Sequence, residues 1–159
     1  MPGASGRVLV VDDNKVIRQL IRVNLELEGF EVVTAADGVE CLDVIHQVRP
    51  DVVTLDVVMP RLDGLRTAAR LRADPRTRNL PLAIISACSQ YEVENGLDVG
   101  VDVFLAKPFE PTELVRLVRQ LLERRNTGGS GSGASFESAE RAESVYGPGG
   151  TERAGRTGN

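Results

Sequence analysis

The stretch DVVTLDVVMPRLDGL, residues 51–65, contains two elements and the junction between them. DVVTLD (51–56) is short, rich in β-branched residues and apolar through most of its interior, the pattern of a strand buried on both faces. From Gly64 the spacing becomes helical and runs to Ala73, with Pro60 and Gly64 marking the turn between. Asp56 therefore stands at the carboxyl end of a strand, where the chain turns toward a helix.

The same unit recurs on either side. Upstream, VLVV (8–11) reads as a second buried strand, and NKVIRQLIRVNLELEG follows at helical spacing. In that helix Val16, Leu20, Val23 and Leu27 fall on one stripe, Asn14 can cap the start and Gly29 can end it. FEVVTA (30–35) is a strand interrupted by Glu31 and Thr34, and Asp37 to Val48 is a helix with Val39, Leu42 and Ile45 inward. Downstream come the strand LAIISA (82–87), a short helix from Tyr91 to Val99 weakened by Gly96, and the strand VDVFLA (101–106). A helix from Pro111 to Arg125 closes the set, with Leu114, Leu117, Val118, Leu121 and Leu122 at docking positions. Strands alternating with helices specify an α/β fold with a parallel sheet covered on both faces. The half-polar second and fifth strands belong at the edges. The expectation is a doubly wound five-stranded sheet in the order 2-1-3-4-5, flavodoxin-like.

Composition sets the outer limits. The chain has 159 residues, 42% hydrophobic and 26% charged, with a net charge of -4. That gives no electrostatic reason to expect direct nucleic-acid or membrane binding. No apolar run approaches a signal-peptide core or a membrane span. Cys41 and Cys88 read as free thiols in a reducing cytoplasm. With His46 the only histidine and no CxxC, a thiolate or imidazole metal site is not expected. The domain reading is an N-terminal extension over 1–6, one folded domain over 7–125, and a Gly/Ser-rich tail over 126–159 that begins TGGSGSGAS and is too polar to fold alone.

In the expected strand order, residues distant in sequence converge at the carboxyl edge of the sheet, where open α/β sheets bind ligands. Asp12 and Asp13 follow strand one, Asp56 ends strand three, Ser86 lies near the end of strand four and Lys107 follows strand five. Singly, each has a structural explanation: an acid before Asn14 can cap a helix, and a Lys-Pro pair is common. Together, three carboxylates repel one another and favour a cation. An oxygen-only donor set suits a hard divalent ion, Mg2+ above all. Lys107 and the Ser86 hydroxyl could take the oxygens of a phosphoryl group carried by Asp56.

VLVVDDN, VTLDVVMPRLDGL, AIISA and VFLAKPF, in that order and spacing, resemble the blocks of response-regulator receiver domains of two-component systems. The resemblance spans roughly residues 7 to 125 and implies a stand-alone receiver. It implies that Asp56 is the phosphoacceptor and that Asp13, Asp56 and the Val58 backbone carbonyl bind Mg2+, with Asp12 reaching it through water. It further implies that Ser86 and Lys107 contact the phosphoryl group, that the peptide before Pro108 is cis, and that Phe104 is the switch aromatic. Such a protein is not an enzyme toward other molecules. It assists its own Mg2+-dependent phosphorylation and dephosphorylation. The implied partners are a sensor histidine kinase or histidine phosphotransfer protein and a downstream output protein, or a second copy on phosphorylation. A shuttle that passes the phosphoryl group on to a phosphotransfer protein is the alternative role.

Three other classes fit less well. A phosphatase working through an aspartyl phosphate needs an acid two residues past the nucleophile, and that residue is Val58. A DNA-binding regulator needs a helix-turn-helix, and residues 126–159 offer neither the length nor the apolar periodicity. A receiver-like module that only binds proteins has no use for the intact acid set. Val58 and Cys88, two beyond Asp56 and Ser86, offer water no strong hydrogen bond.

Overall fold

The computed structural model describes residues 6–126, so the expected terminal extension and tail lie almost wholly outside the described residues. In chain order the elements are β1 (Arg7–Val11), α1 (Lys15–Leu27), β2 (Glu31–Ala35), α2 (Gly38–Val48), β3 (Val52–Leu55), α3 (Gly64–Ala73), β4 (Leu82–Ser86), α4 (Gln90–Val99), β5 (Val103–Ala106) and α5 (Pro111–Asn126). The five strands form one parallel sheet in the order β2-β1-β3-β4-β5, with β2 and β5 at the edges as their half-polar sequences predict.

Strand alternation divides the core into two layers. Leu9, Val11, Val53, Leu55, Leu82, Ile84 and Phe104 face α2, α3 and α4. Val8, Val10, Val52, Ala83, Ile85, Val103 and Leu105 face α1 and α5, where Leu114, Leu117, Val118 and Leu121 bury the expected stripe. Burial of this kind stabilises by about 25 cal/mol per Å2 of apolar surface removed from water.

Helix starts follow the capping residues in the sequence. The side chains of Asn14, Asp37, Asp63 and Ser89 accept from backbone N–H groups of the first turns of α1, α2, α3 and α4. α1 ends before Gly29, whose φ of 95° suits a residue without a side chain.

α1 departs from the expectation drawn from its sequence. The stripe of Val16, Leu20, Val23 and Leu27 is exposed, with Val16 at 75% and Leu27 at 77%. The buried residues are Ile21 and Leu25, with Ile17 packed beside them. KVIRQLIRVNLEL contains two apolar stripes at helical spacing, and periodicity alone cannot choose which one meets the sheet. The choice predicts a measurable asymmetry. Ile21→Ala and Leu25→Ala should each destabilise the domain by about 2–5 kcal/mol, while Leu20→Ala and Val23→Ala should change it by no more than about 0.5 kcal/mol. Urea unfolding of the four variants checks the assignment.

Candidate functional site

The carboxyl ends of four strands, and the turns that follow them, deliver the parts of the site. β1 ends at Val11 and places Asp12 beneath the surface, 1% exposed, with Asp13 beside it in the open. Asp12 is held on both sides: one oxygen accepts from the Asn14 N–H at 2.9 Å, and the other meets the Lys107 ammonium at 2.9 Å. The Arg18 guanidinium also donates to the Asp12 carbonyl at 2.8 Å.

Asp56 follows β3 and is fixed by its surroundings. Its backbone N–H donates to the Val11 carbonyl at 2.9 Å, and its Oδ1 accepts from the Val57 N–H at 2.8 Å. Beyond it the loop alternates: Val57, Met59 and Leu62 are buried, while the Val58 side chain is 75% exposed. Arg61, at φ 68°, is held by two hydrogen bonds of 3.0 Å to Asp37 at the start of α2. Gly64 closes the loop, because a Cβ there would lie 1.9 Å from the Asp56 carbonyl oxygen. Only a residue with no side chain lets α3 begin this close to Asp56.

Lys107 follows β5. Its N–H donates to the Ser86 carbonyl at 2.7 Å, and the Lys107–Pro108 peptide is cis. Its ammonium lies 2.9 Å from Asp12 and 3.3 Å from Asp56, joining groups 95 positions apart in sequence. Carboxylate oxygens of Asp12, Asp13 and Asp56 all lie within 4.8 Å of one another. That set offers hard oxygen donors alone, partly open to water, and fits a hydrated Mg2+ ion.

Burial and the neighbouring Asp12 charge push the Asp56 carboxyl up to about 6, with Lys107 offsetting part of the effect. Burial acts against the Lys107 charge, yet the hydrogen bond and charge of Asp12, with that of Asp56, hold Lys107 above its ordinary value. The cluster is therefore short of positive charge without a cation.

Ser86 ends β4 and is buried, but its hydroxyl is turned toward α4. It donates to Glu92 Oε1 at 2.7 Å, and the Cys88 N–H meets the same oxygen at 2.9 Å and the Ser86 hydroxyl at 3.1 Å. Glu92 is 9% exposed. Sequence reasoning missed it, although Ser89-Gln90-Tyr91-Glu92 fits the S-x-x-E pattern of a helix start. Cys88 is buried among the residues under α4, so of Val58 and Cys88 only the apolar Val58 lies open to water.

Phe104 is turned inward, 1% exposed. Its ring occupies the place a side chain at Gly96 would need: a Cβ there would lie 2.6 and 2.7 Å from ring carbons. α4 runs from Gln90 to Val99, close to the helix expected from Tyr91 to Val99, and Gly96 lies within it. Gly96 is where the ring rests.

Two stability measurements follow. Asp56 has a raised folded-state pKa, so the folded protein binds a proton there that the unfolded chain releases. Its contribution is fully present below about pH 4 and is lost as pH rises through about 6. Asp56→Asn should remove that part of the pH profile and stabilise the metal-free domain at pH 7.5 by up to about 3 kcal/mol. Thermal melts in chelator from pH 4 to 8 test it, and parallel profiles would contradict the assignment. Gly96→Ala should cost about 1–3 kcal/mol through the Phe104 ring, despite the better helix propensity of alanine. In a Phe104→Ala background the same change should be neutral or stabilising, which a double-mutant cycle would read directly.

Comparison with known proteins accords with this arrangement. Residues 8–119 match the response regulator receiver domain. Response regulator MprA of Mycolicibacterium vanbaalenii is 45% identical over 130 residues, covering 81% of this chain and 55% of that protein. The DNA-binding dual master transcriptional regulator RpaA of Synechocystis is 38% identical over 119 residues, covering 74% of this chain and 49% of that protein. The chain thus spans about half the length of the curated relatives it matches. The name of the second, about half of which this chain covers, runs against the expectation of no direct nucleic-acid contact, which rests on net charge and on the lack of helix-turn-helix periodicity in residues 126–159. Among solved structures, the receiver domain of Francisella response regulator 1452 superposes with a TM-score of 0.70 at 38% identity, covering 76% of this chain and 98% of that one. With five parallel strands in the order 2-1-3-4-5 and the acid cluster at their carboxyl edge, the chain belongs to the response regulator receiver domains of two-component systems.

Proposed function

We propose that the chain is a phosphorylation-dependent response regulator that takes a phosphoryl group on Asp56 from a sensor histidine kinase or a phosphotransfer protein. The observation that carries the reading is the placement of Asp56 in the acid cluster beside Asp12 and Asp13, with the Lys107 ammonium 3.3 Å from it and 2.9 Å from Asp12. An Asp56 oxygen attacks phosphorus, and the bond to the donor imidazole nitrogen breaks with its electron pair going to nitrogen. Lys107 is positioned to neutralise a phosphoryl oxygen as charge moves onto the protein.

Asp13 and Asp56, with the Val58 carbonyl, would hold Mg2+. Both oxygens of Asp12 already accept hydrogen bonds, which suits contact through water. Bound there, the ion supplies positive charge to the phosphoryl oxygens. The exposed Val58 side chain offers water no hydrogen bond, so hydrolysis of the acyl phosphate is slow.

Phosphorylation replaces the single carboxylate charge of Asp56 with a phosphoryl group of about two negative charges, a net gain of about one. In this reading the Ser86 hydroxyl turns to the new oxygens, and Phe104 and α4 carry the change to an output protein at the face of α4, β5 and α5. The exposed apolar stripe of α1 begins at Val16, one turn past Asp12 and Asp13, and serves as the docking surface for the donor kinase. The buried free thiols, and the absence among the described residues of any helix long and apolar enough to cross a membrane, accord with a cytoplasmic setting.

Acetyl phosphate with Mg2+ should add one acid-stable, base-labile phosphoryl group to the wild-type chain and none to Asp56→Asn. Mass spectrometry reads the outcome, and full labelling of the mutant would overturn the assignment.

A further inference from the structure

The Ser86 hydroxyl carries a single hydrogen, and that hydrogen is already committed. It points to Glu92 Oε1 at 2.7 Å, inside the protein. Glu92 is the third residue of α4, whose cap is Ser89. In an ordinary capping box the glutamate reaches back to the N–H of the cap residue. Here the carboxylate reaches one residue farther, to the Cys88 N–H at 2.9 Å, and takes the Ser86 hydroxyl as well. One oxygen thus ties the first turn of α4 to the end of β4 and to the loop between them.

We propose that Glu92 is a positioning residue that latches Ser86 away from Asp56 and opposes phosphorylation until it is displaced. The inference rests on the reading of Asp56 as phosphoacceptor. A carboxylate and a phosphoryl oxygen are both acceptors without a proton to give, and one hydroxyl hydrogen cannot serve both. When Ser86 turns to the phosphoryl group, Glu92 keeps only the Cys88 N–H. A mostly buried carboxylate short of donors is unfavourable, so it moves toward water and takes the first turn of α4 with it. The phosphoryl group and the helix are then coupled by competition for one hydrogen. The coupling is reciprocal: whatever draws α4 outward frees Ser86 and strengthens phosphoryl binding.

Beryllium trifluoride anion, a mimic that bonds to a carboxylate as a phosphoryl group does, tests this on the full chain in Mg2+. Removing the latch should tighten binding, the opposite of what damage to the fold would do. Glu92→Ala should bind the mimic about tenfold tighter than wild type, the equivalent of one hydrogen bond to a charged group. Glu92→Gln keeps the shape and an uncharged acceptor, protects against a folding defect, and should bind about threefold tighter. In the Ser86→Ala background neither change at residue 92 should tighten binding further. Unchanged or weaker affinity in both Glu92 variants would overturn the latch, as would an equal gain with and without Ser86. If the wild type itself fails to bind the mimic at Asp56, the phosphoacceptor reading falls and the latch falls with it.

Discussion

The Lys107 ammonium, 2.9 Å from Asp12 and 3.3 Å from Asp56, is the contact on which the site depends. Asp12 is buried, and a buried carboxylate without a partner costs several kcal/mol. The partner comes from β5, an edge strand, while Asp12 and Asp56 follow β1 and β3. Adjacent strands are about 4.8 Å apart, so the ammonium must cross the end of β4 and span about 10 Å to reach β3. This constrains β4 to end in small residues, as Ser86-Ala87 does. The strand order and the small end of β4 are thus one requirement seen from two places.

The same geometry bears on the raised pKa of Asp56. Asp12 and Asp56 each take an N–H on one oxygen and meet Lys107 on the other, at 2.9 Å and 3.3 Å. Asp56 stands in a partly dehydrated place and feels the Asp12 charge, which Lys107 offsets only in part. Its charge is therefore incompletely compensated. A group in that condition gains most from added positive charge, whether from a cation or from the redistribution that accompanies bond formation to phosphorus.

Most of this is legible in the sequence, and what is not has a definable cause. Strand ends can be read from where apolar runs stop, so the sequence alone suffices to set Asp12, Asp13, Asp56, Ser86 and Lys107 on one sheet edge. α1 is misread because Val16, Leu20, Val23 and Leu27 compete with Ile17, Ile21 and Leu25 for the same helical period, and only the direction from which the sheet approaches decides between them. Gly96 reads as a weak point of a helix because propensity is a local property, whereas the ring of Phe104 that needs the space comes from another element. Glu92 fits a capping pattern, but the pattern does not say that its carboxylate passes over the cap to reach Ser86. The readable residues act through their place in a strand. The unreadable ones act through what another element brings against them.

That distinction bears on how a change at Asp56 travels. α5 is fastened by five buried aliphatic side chains, Leu114, Val115, Leu117, Val118 and Leu121. The buried residues of α4 are Glu92, Val93 and Gly96: one aliphatic side chain, one carboxylate and one residue with no side chain. The apolar contact of α4 is thus largely supplied from outside, by Phe104, and its polar contact by Ser86. Glu92 and Gly96 are four residues apart, one turn along the same helix, so both attachments hold one face. A helix held mainly by its own buried aliphatic residues could move only by exposing them to water, at about 1.5–3 kcal/mol each. α4 can shift by exchanging one hydrogen bond and reseating one ring, neither of which exposes a row of its own apolar side chains. α4 is thus held to the sheet less by its own apolar side chains than α5 is. The scarcity of apolar residues that makes α4 look weak in the sequence is what fits it to respond.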